Sequence, residues 1–188
     1  MSYEGNVIPM GLIVFDFDGT LVDSLGCITK SFKNTASQLG LQVPTDENIM
    51  LGIGLSCEQQ IKRIYANDMT KNVQEKFIYT FRENFNKYAF KNKEFRIFPN
   101  VESIINRLKN EGYILAIATA GGRLYLDQAL KVLNWEHIFS YTACGDEFPS
   151  KPDPEMLMSL DKKCNYKCDK YMIGDSIIDI KMGKQAGF

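Results

Sequence analysis

Residues 13–24 read IVFDFDGTLVDS, and the fold prediction starts from these twelve residues. An apolar run stops at Asp16 and Asp18, two carboxylates separated by a single residue. A short apolar run bounded by polar and turn residues indicates a buried strand. Because alternate residues of a strand point to one side, we expect Asp16 and Asp18 to face one crevice while Phe17 packs away from it.

Similar apolar runs recur along the chain, separated by segments with helical periodicity. Strand–helix alternation of this kind predicts a parallel sheet with helices on both faces. The fold class is therefore α/β, a Rossmann-like doubly wound parallel sheet. The predicted strands are GLIVF at 11–15, YILAIA at 113–118, YMIG at 171–174 and, more weakly, FSYTAC at 139–144.

Capping signals mark the starts of the predicted helices between these strands. Asn100 is expected to cap a helix that ends before Gly112, and Ser176 is expected to cap the last helix. Asp153 is expected to cap a helix whose first residue is Pro154. Residues 122–133 form a further helix with an apolar face at Leu126, Leu130 and Leu133.

The segment from residue 25 to 95 contains helix signals and no comparable apolar strand. Ser56 and Gln59 form a predicted capping box, and Thr70 opens a long helix. The aromatic stripe along that helix is typical of a core rather than of a cofactor site. We therefore predict a core of residues 1–22 plus 96–188, with an α-helical cap subdomain inserted at 23–95.

Composition limits the classes of partner. The net charge of −1 gives no basic patch for nucleic acid, and no apolar run is long enough to span a bilayer. The first ten residues do not have the pattern of a signal peptide. Five cysteines, an odd number, argue against a disulfide scaffold, so we expect a cytoplasmic protein. The pattern gives no oligomeric state.

Polar residues stand where the predicted strands end. In open parallel sheets, ligands bind at the carboxyl ends of the strands, so these residues are expected to converge. Four carboxylates in one crevice repel one another, and a hard divalent cation such as Mg²⁺ would relieve that repulsion. The polar residues at or just after the strand ends are Asp16, Asp18, Thr119, Lys151, Asp175 and Asp179.

Donors on the far side of this crevice favour an anion. Thr119 and Lys151 supply a hydroxyl and a positive charge, and a phosphoryl group would bridge them and the metal. Gly19 allows the backbone to approach closely, while the regions of Thr20 and Gly121 offer N–H groups to phosphoryl oxygens.

Four motifs in this order resemble the haloacid dehalogenase-like hydrolase superfamily: DFDGTLVDS (16–24), IATAGG (117–122), SKPDPEML (150–157) and IGDSIID (173–179). The predicted insertion is similar to the small α-helical cap of the phosphoglycolate phosphatase-like branch. LGIGLS (51–56) resembles the loop of that cap which dips into the active site.

The resemblance implies a role for each residue. Asp16 would be the nucleophile that forms an aspartyl phosphate, and Asp18 the general acid and then the general base. Thr119 and Lys151 would hold the phosphoryl oxygens. The Mg²⁺ site would consist of Asp16, Asp18 through its backbone carbonyl, and Asp175, with Asp179 in support. Substrate contacts would come from Gly19, Thr20, Ala120, Gly121 and Gly54, with Ala120 standing where the family often has Asn or Ser.

The expected activity is a Mg²⁺-dependent phosphatase acting on a small phosphorylated metabolite, with phosphoglycolate as the leading candidate. A phosphomutase of the same superfamily is an alternative, but it needs a second phosphate site, and Lys62 and Arg63 are more typical of a solvated helix face. A phospho-accepting or non-catalytic regulatory domain is a further alternative. Chains of this family normally continue past the position of Phe188 into another strand, so the core is expected to lack that strand.

Overall fold

The computed structural model describes residues 9–66 and 69–188. Residues 1–8, which belong to the predicted core segment, and residues 67 and 68, which belong to the predicted cap, lie outside the described residues. In chain order the elements are β1 (Leu12–Phe15), β2 (Val22–Asp23), α1 (Leu25–Gln38), α2 (Asp46–Met50), α3 (Cys57–Tyr65), α4 (Lys71–Asn86), a π-helical segment (Lys87–Lys91), β3 (Arg96–Ile97), α5 (Val101–Asn110), β4 (Ile114–Thr119), α6 (Arg123–Leu133), β5 (Tyr141–Cys144), α7 (Glu155–Cys164), β6 (Lys170–Ile173) and α8 (Ile177–Ala186).

The four predicted strands form one parallel sheet in the order β5-β4-β1-β6. Val14 in β1 lies opposite Ala116 in β4 and Met172 in β6. The strands are rich in apolar residues because both faces of a parallel sheet are covered. The predicted doubly wound α/β class is confirmed.

Alternate residues of β1 enter two different cores. Ile13 and Phe15 pack with α5 and α6, whereas Leu12 and Val14 pack with α7 and α8. This is the two-residue period of a strand, applied to a sheet with a helical layer on each side. The central strand is therefore fixed from both faces, and so is the backbone that leaves its end.

The helical insertion (residues 25–91) has a hydrophobic core of its own. Phe32, Ile49, Ile61 and Phe77 are all 1% exposed or less in that core. The insertion is bounded by β2 and β3, which pair antiparallel. These two strands were not predicted, because two residues are too few to establish a periodicity.

The capping predictions are mostly confirmed. Ser56 with Gln59 forms a capping box, and Thr70 and Ser176 also accept a backbone N–H at the start of their helices. The prediction for Asn100 is wrong: this residue adopts a left-handed conformation (φ 66°) and its side chain makes no capping hydrogen bond.

The helix predicted to open with Pro154 begins one residue later, at Glu155. Pro154 therefore precedes the helix rather than forming its first residue. The Asp153 carboxylate accepts the N–H of Glu155 at 3.0 Å, so it still serves the start of this helix.

All five cysteines are free thiols. No helix within residues 9–66 and 69–188 combines the length and the apolar character needed to cross a membrane.

Candidate active site

The chain leaves β1 directly into the predicted crevice. The N–H of Asp16 donates to the carbonyl of Ile173 at 2.8 Å, so the pairing with the β6 side continues one residue beyond the strand. Phe17 is fully buried, and its ring centroid lies 6.2 Å from that of Phe95. The expected alternation is confirmed: the aromatic side chain packs into the core, and Asp16 and Asp18 line one cavity.

Lys151 lies behind Asp16 in the protein interior. Its ammonium donates to Asp16 Oδ1 at 2.5 Å and to Asp179 Oδ1 at 2.8 Å. The Lys151 side chain is 0% exposed, and those of Asp16 and Asp179 are 6% and 2% exposed. Two buried carboxylates thus share one buried ammonium, which leaves a net negative charge away from water.

This arrangement shifts the proton affinity of the buried groups. Burial raises the pKa of Asp16 to about 7; the Lys151 ammonium opposes this rise, and the Asp179 carboxylate adds to it. Burial disfavours the charged form of Lys151, but the two carboxylates outweigh this and raise the pKa of Lys151 above its ordinary value. The lysine therefore stays protonated.

Three carboxylates form a group with the spacing of a metal site. One oxygen each from Asp16, Asp175 and Asp179 lies within 4.8 Å of the others. Asp179 uses Oδ1 to accept from Lys151 and Oδ2 to accept from the backbone and hydroxyl of Ser176. Asp16 and the exposed Asp175 are therefore the carboxylates with more capacity left to bind a cation.

The residues present fit a hard divalent cation. The group supplies oxygen ligands only, and a single ammonium does not neutralise its three carboxylates. Two glycines make room for the group. A Cβ on Gly19, which has φ 88°, would lie 2.5 Å from Asp175 Oδ2, and a Cβ on Gly174 would lie 2.4 Å from Asp179 Cγ.

The loop after β4 lies beside these carboxylates. Thr119 is fully buried, and its hydroxyl accepts the N–H of Gly121 at 3.0 Å. In this structure the Gly121 N–H is therefore paired within its own loop, and the expectation that the Gly121 region offers N–H groups to an oxyanion stays a prediction. Gly145 supports the same loop, since a Cβ there would lie 2.3 Å from the carbonyl oxygen of Ala120.

A cavity of about 400 Å³ lies between the sheet and the helical insertion. The insertion contributes the loop 52–56, which includes Gly54 with φ 87°, and the first residues of α3. A Cβ on Gly54 would lie 3.4 Å from the hydroxyl of Ser176, so this loop reaches the metal-site side of the crevice.

The predicted site residues fall into two layers. One layer lines the cavity; the other lies beside or beneath the cavity wall, where the Thr20 hydroxyl is 3.4 Å from Asp175 Oδ1. The first layer lines the cavity and consists of Asp16, Asp18, Gly54, Thr119, Ala120 and Gly121. The second consists of Gly19, Thr20, Lys151, Asp175 and Asp179.

Comparison with known proteins agrees with this geometry. The sequence model described as haloacid dehalogenase-like hydrolase matches residues 13–188. The chain belongs to the haloacid dehalogenase-like hydrolase family. The match includes all four motifs and the helical insertion.

Individual relatives cover most of this haloacid dehalogenase-like hydrolase. The phosphoglycolate phosphatase of Mannheimia succiniciproducens is 29% identical over 189 residues, which cover 94% of this chain and 82% of that protein. The phosphoglycolate phosphatase of Pasteurella multocida is 30% identical with the same coverage.

Solved structures share the fold. A crystal structure described as a predicted phosphoglycolate phosphatase from Haemophilus somnus has a TM-score of 0.81 at 27% identity, covering 94% of this chain and 81% of that one. A hydrolase from Pseudomonas syringae has a TM-score of 0.82 at 22% identity, covering 95% and 81%. The helical insertion is part of this shared architecture.

One side chain of this haloacid dehalogenase-like hydrolase was not among the predicted site residues. The hydroxyl of Tyr125 donates to Asp18 Oδ1 at 2.6 Å. The packed surroundings of the phenol, together with the Asp18 carboxylate, raise the pKa of Tyr125 well above its ordinary value. The two residues are 107 positions apart, so the local pattern around Tyr125 carries no signal for the contact.

Proposed function

We propose that this protein is a Mg²⁺-dependent phosphatase that acts on a small phosphorylated metabolite through an aspartyl phosphate on Asp16. One observation carries the proposal: Asp16 lines the cavity, and the buried Lys151 contacts it from behind. Membership of the hydrolase family and the acid beside the nucleophile, Asp18, support it.

In the first step, an Asp16 carboxylate oxygen attacks phosphorus as the bond from phosphorus to the substrate oxygen breaks. Asp18 donates a proton to the departing alcohol oxygen. In the second step, Asp18 takes a proton from water, the water oxygen attacks phosphorus, and the bond to Asp16 breaks. Lys151 keeps Asp16 oriented and offsets its charge throughout.

The cation would be held by the carboxylates of Asp16 and Asp175 and by the backbone carbonyl of Asp18. Asp179 would support the site through Lys151 and Ser176. When bound, Mg²⁺ neutralises charge on the phosphoryl oxygens. The buried negative charge described above is the reason to expect a cation here.

The phosphoryl oxygens would contact the Thr119 hydroxyl and the backbone around Gly19, Thr20, Ala120 and Gly121. In this scheme, binding requires the Gly121 N–H to turn from Thr119 toward the ligand. Gly54 would contact the organic part of the substrate, since its loop forms the opposite wall of the cavity.

Phosphoglycolate is the first substrate to test. The relatives named phosphoglycolate phosphatase support this choice. The cavity offers a matching group: among the described residues that line it, Arg82 alone is basic. A guanidinium suits the carboxylate of a small phosphorylated acid.

The five free cysteines favour a reducing compartment, which supports a cytoplasmic location.

The test is hydrolysis of an aryl phosphate and of phosphoglycolate by the purified protein with Mg²⁺. Asp16→Asn should lower turnover of both by about a thousandfold or more, because the amide is a poor nucleophile. EDTA should abolish the activity and added Mg²⁺ should restore it. Glu75→Gln, on the exposed surface of α4, is the matched carboxylate-to-amide control and should leave turnover unchanged.

Activity that survives Asp16→Asn, or that is insensitive to EDTA, would contradict the nucleophile or the metal assignment. Mass spectrometry of the protein trapped with a phosphate analogue provides a second readout. The adduct should be found on Asp16.

A further inference from the structure

Tyr125 contacts the proposed acid directly. Its hydroxyl lies 2.6 Å from Asp18 Oδ1, which is the short distance of an O–H group donating to a carboxylate. Both side chains line the cavity. With Oδ1 engaged by the phenol, Oδ2 is the Asp18 oxygen left to exchange a proton with substrate or water.

The ring of Tyr125 is held by aromatic neighbours from two parts of the molecule. From the core side, its centroid lies 6.0 Å from Phe17 and 6.4 Å from Phe95. From the helical insertion, Phe85 lies 5.0 Å away at 86°, and Phe90 lies 6.2 Å away. Edge-to-face contacts of this kind fix the orientation of a ring.

The loop after β4 leaves room for the same ring. A Cβ on Gly121 would lie 2.7 Å from Cδ1 of Tyr125. The absence of a side chain at Gly121 therefore lets the ring lie against the loop that includes Thr119. The phenol is confined on this side as well, so its hydroxyl has little freedom to leave Asp18.

Resting on the phosphatase function proposed above, we propose that Tyr125 is a positioning residue for Asp18. Its phenol holds Oδ1 and so orients Oδ2 for proton transfer to the leaving oxygen. Through Phe85 and Phe90, its ring makes this orientation depend on the packing of the helical insertion. Proton delivery is then coupled to the seating of the insertion over the cavity.

Tyr125→Phe tests the proposal because it removes the hydroxyl and keeps the ring. The measured quantity is kcat/KM, with saturating Mg²⁺, for an aryl phosphate and for an alkyl phosphate such as phosphoglycolate. An aryl leaving group departs without a proton, whereas an alkyl leaving group needs one. We expect kcat/KM to fall about tenfold or more for the alkyl ester and to stay within about threefold for the aryl ester.

Two further variants complete the test. Tyr113→Phe is the matched control: Tyr113 packs against the same core, and its hydroxyl makes no hydrogen bond to a described residue. It should leave both kcat/KM values unchanged.

Phe85→Leu removes the 5.0 Å ring contact from the insertion and should reproduce the selective loss for the alkyl ester. It also provides the test if Tyr125→Phe does not fold.

An equal loss for both esters, or no loss for either, would overturn the positioning role of Tyr125. A selective loss in Tyr125→Phe without one in Phe85→Leu would overturn the coupling to the insertion. A wild-type protein that hydrolyses neither ester would instead refute the phosphatase function itself, so the two failures are distinguishable.

Discussion

Asp16 is a buried carboxylate whose charge is only partly compensated. Lys151 neutralises one negative charge, while Asp16 and Asp179 together carry two. Burial in the metal-free native state, opposed by Lys151 and reinforced by Asp179, raises the pKa of Asp16 from 3.8 to about 7. The Asp16 carboxylate, which is the proposed nucleophile, therefore lowers the stability of the native state when it is ionised and no cation is bound.

The stability of the metal-free protein should depend on pH through Asp16. The native state binds the proton more tightly than the unfolded state, so stability falls as pH rises between 3.8 and about 7. Asp16→Asn removes this loss. In EDTA at pH 8, its melting temperature should exceed that of the wild type by about 2 °C or more.

The difference should disappear at a pH well below 3.8, where Asp16 is protonated in both the native and the unfolded state. Differential scanning calorimetry at both pH values makes the comparison, and Glu75→Gln should follow the wild type throughout. A melting temperature for Asp16→Asn that stays below the wild type at pH 8 would show that Asp16 stabilises the fold when ionised.

The sequence identified the residues with a strong local signature and missed the one without. Asp16 and Asp18 stand out because carboxylates directly follow an apolar strand. Tyr125 does not, since an aromatic residue beside Leu126 on an amphipathic helix is typical of packing. Its proposed role depends on a hydroxyl meeting a partner 107 residues away, a contact that only the tertiary structure supplies.

At the scale of elements, α6 and the end of β5 are joined by one arginine. The Arg123 guanidinium donates to both oxygens of Glu147, at 2.8 and 2.9 Å, and to the Thr142 hydroxyl at 2.8 Å. The backbone N–H of Arg123 donates to Asp146 at 2.9 Å. These bonds fix the start of the helix that bears Tyr125.

Arg123→Gln should destabilise the protein by about 1–3 kcal/mol, because it removes several charge-assisted hydrogen bonds. Urea unfolding measures the change. Arg107→Gln is the matched control, since Arg107 is 70% exposed and has only a 3.6 Å contact with Glu111. It should cost less than about 0.5 kcal/mol. Equal effects for the two variants would mean that the Arg123 contacts do not stabilise this junction.

Element prediction succeeded where burial leaves a periodic pattern. The sheet strands are read as apolar runs because helices cover both of their faces. β2 and β3 are too short for a pattern, and the π-helical segment continues α4 without any change in residue type. Asn100 was misread because the same residue type suits both a helix cap and a left-handed turn.

Over the molecule, the sheet and the helical insertion each have a hydrophobic core, and a smaller cluster that includes Phe85 and Tyr125 joins the two parts. Phe77 lies at the centre of the insertion, with its ring 4.8 Å from Phe32 and 6.0 Å from Tyr65. The division into a core and a cap subdomain, expected from a change in sequence pattern near residue 25, stays a prediction. The order of the strands was not predicted, because residues far apart in the chain determine which strands pair.

Phe77→Ala should loosen the insertion and leave the sheet intact. The cavity left by the ring should cost about 3–5 kcal/mol of local stability. Hydrogen exchange should become faster within residues 25–91 and stay unchanged in β1 and β4. Leu157→Ala, in the core beneath the sheet, should give the opposite pattern.

Uniform acceleration of exchange in the Phe77→Ala variant would show that the two parts unfold together. The predicted boundaries at residues 22/23 and 95/96 would then not separate two folding units. Exchange that changes sharply at those positions would support the division.

The pairing of β2 with β3 has a consequence for how this molecule can change over generations. Val22 lies opposite Ile97, and Asp23 lies opposite Arg96, so the two ends of the insertion lie side by side. An insertion whose ends lie side by side can be replaced by another segment without changing the order of the sheet strands. The groups proposed for bond breaking lie outside the helical insertion, while Gly54 and Arg82, which line the cavity, lie within it. Changes within the insertion would then alter the proposed substrate contacts and leave the proposed reacting groups in place.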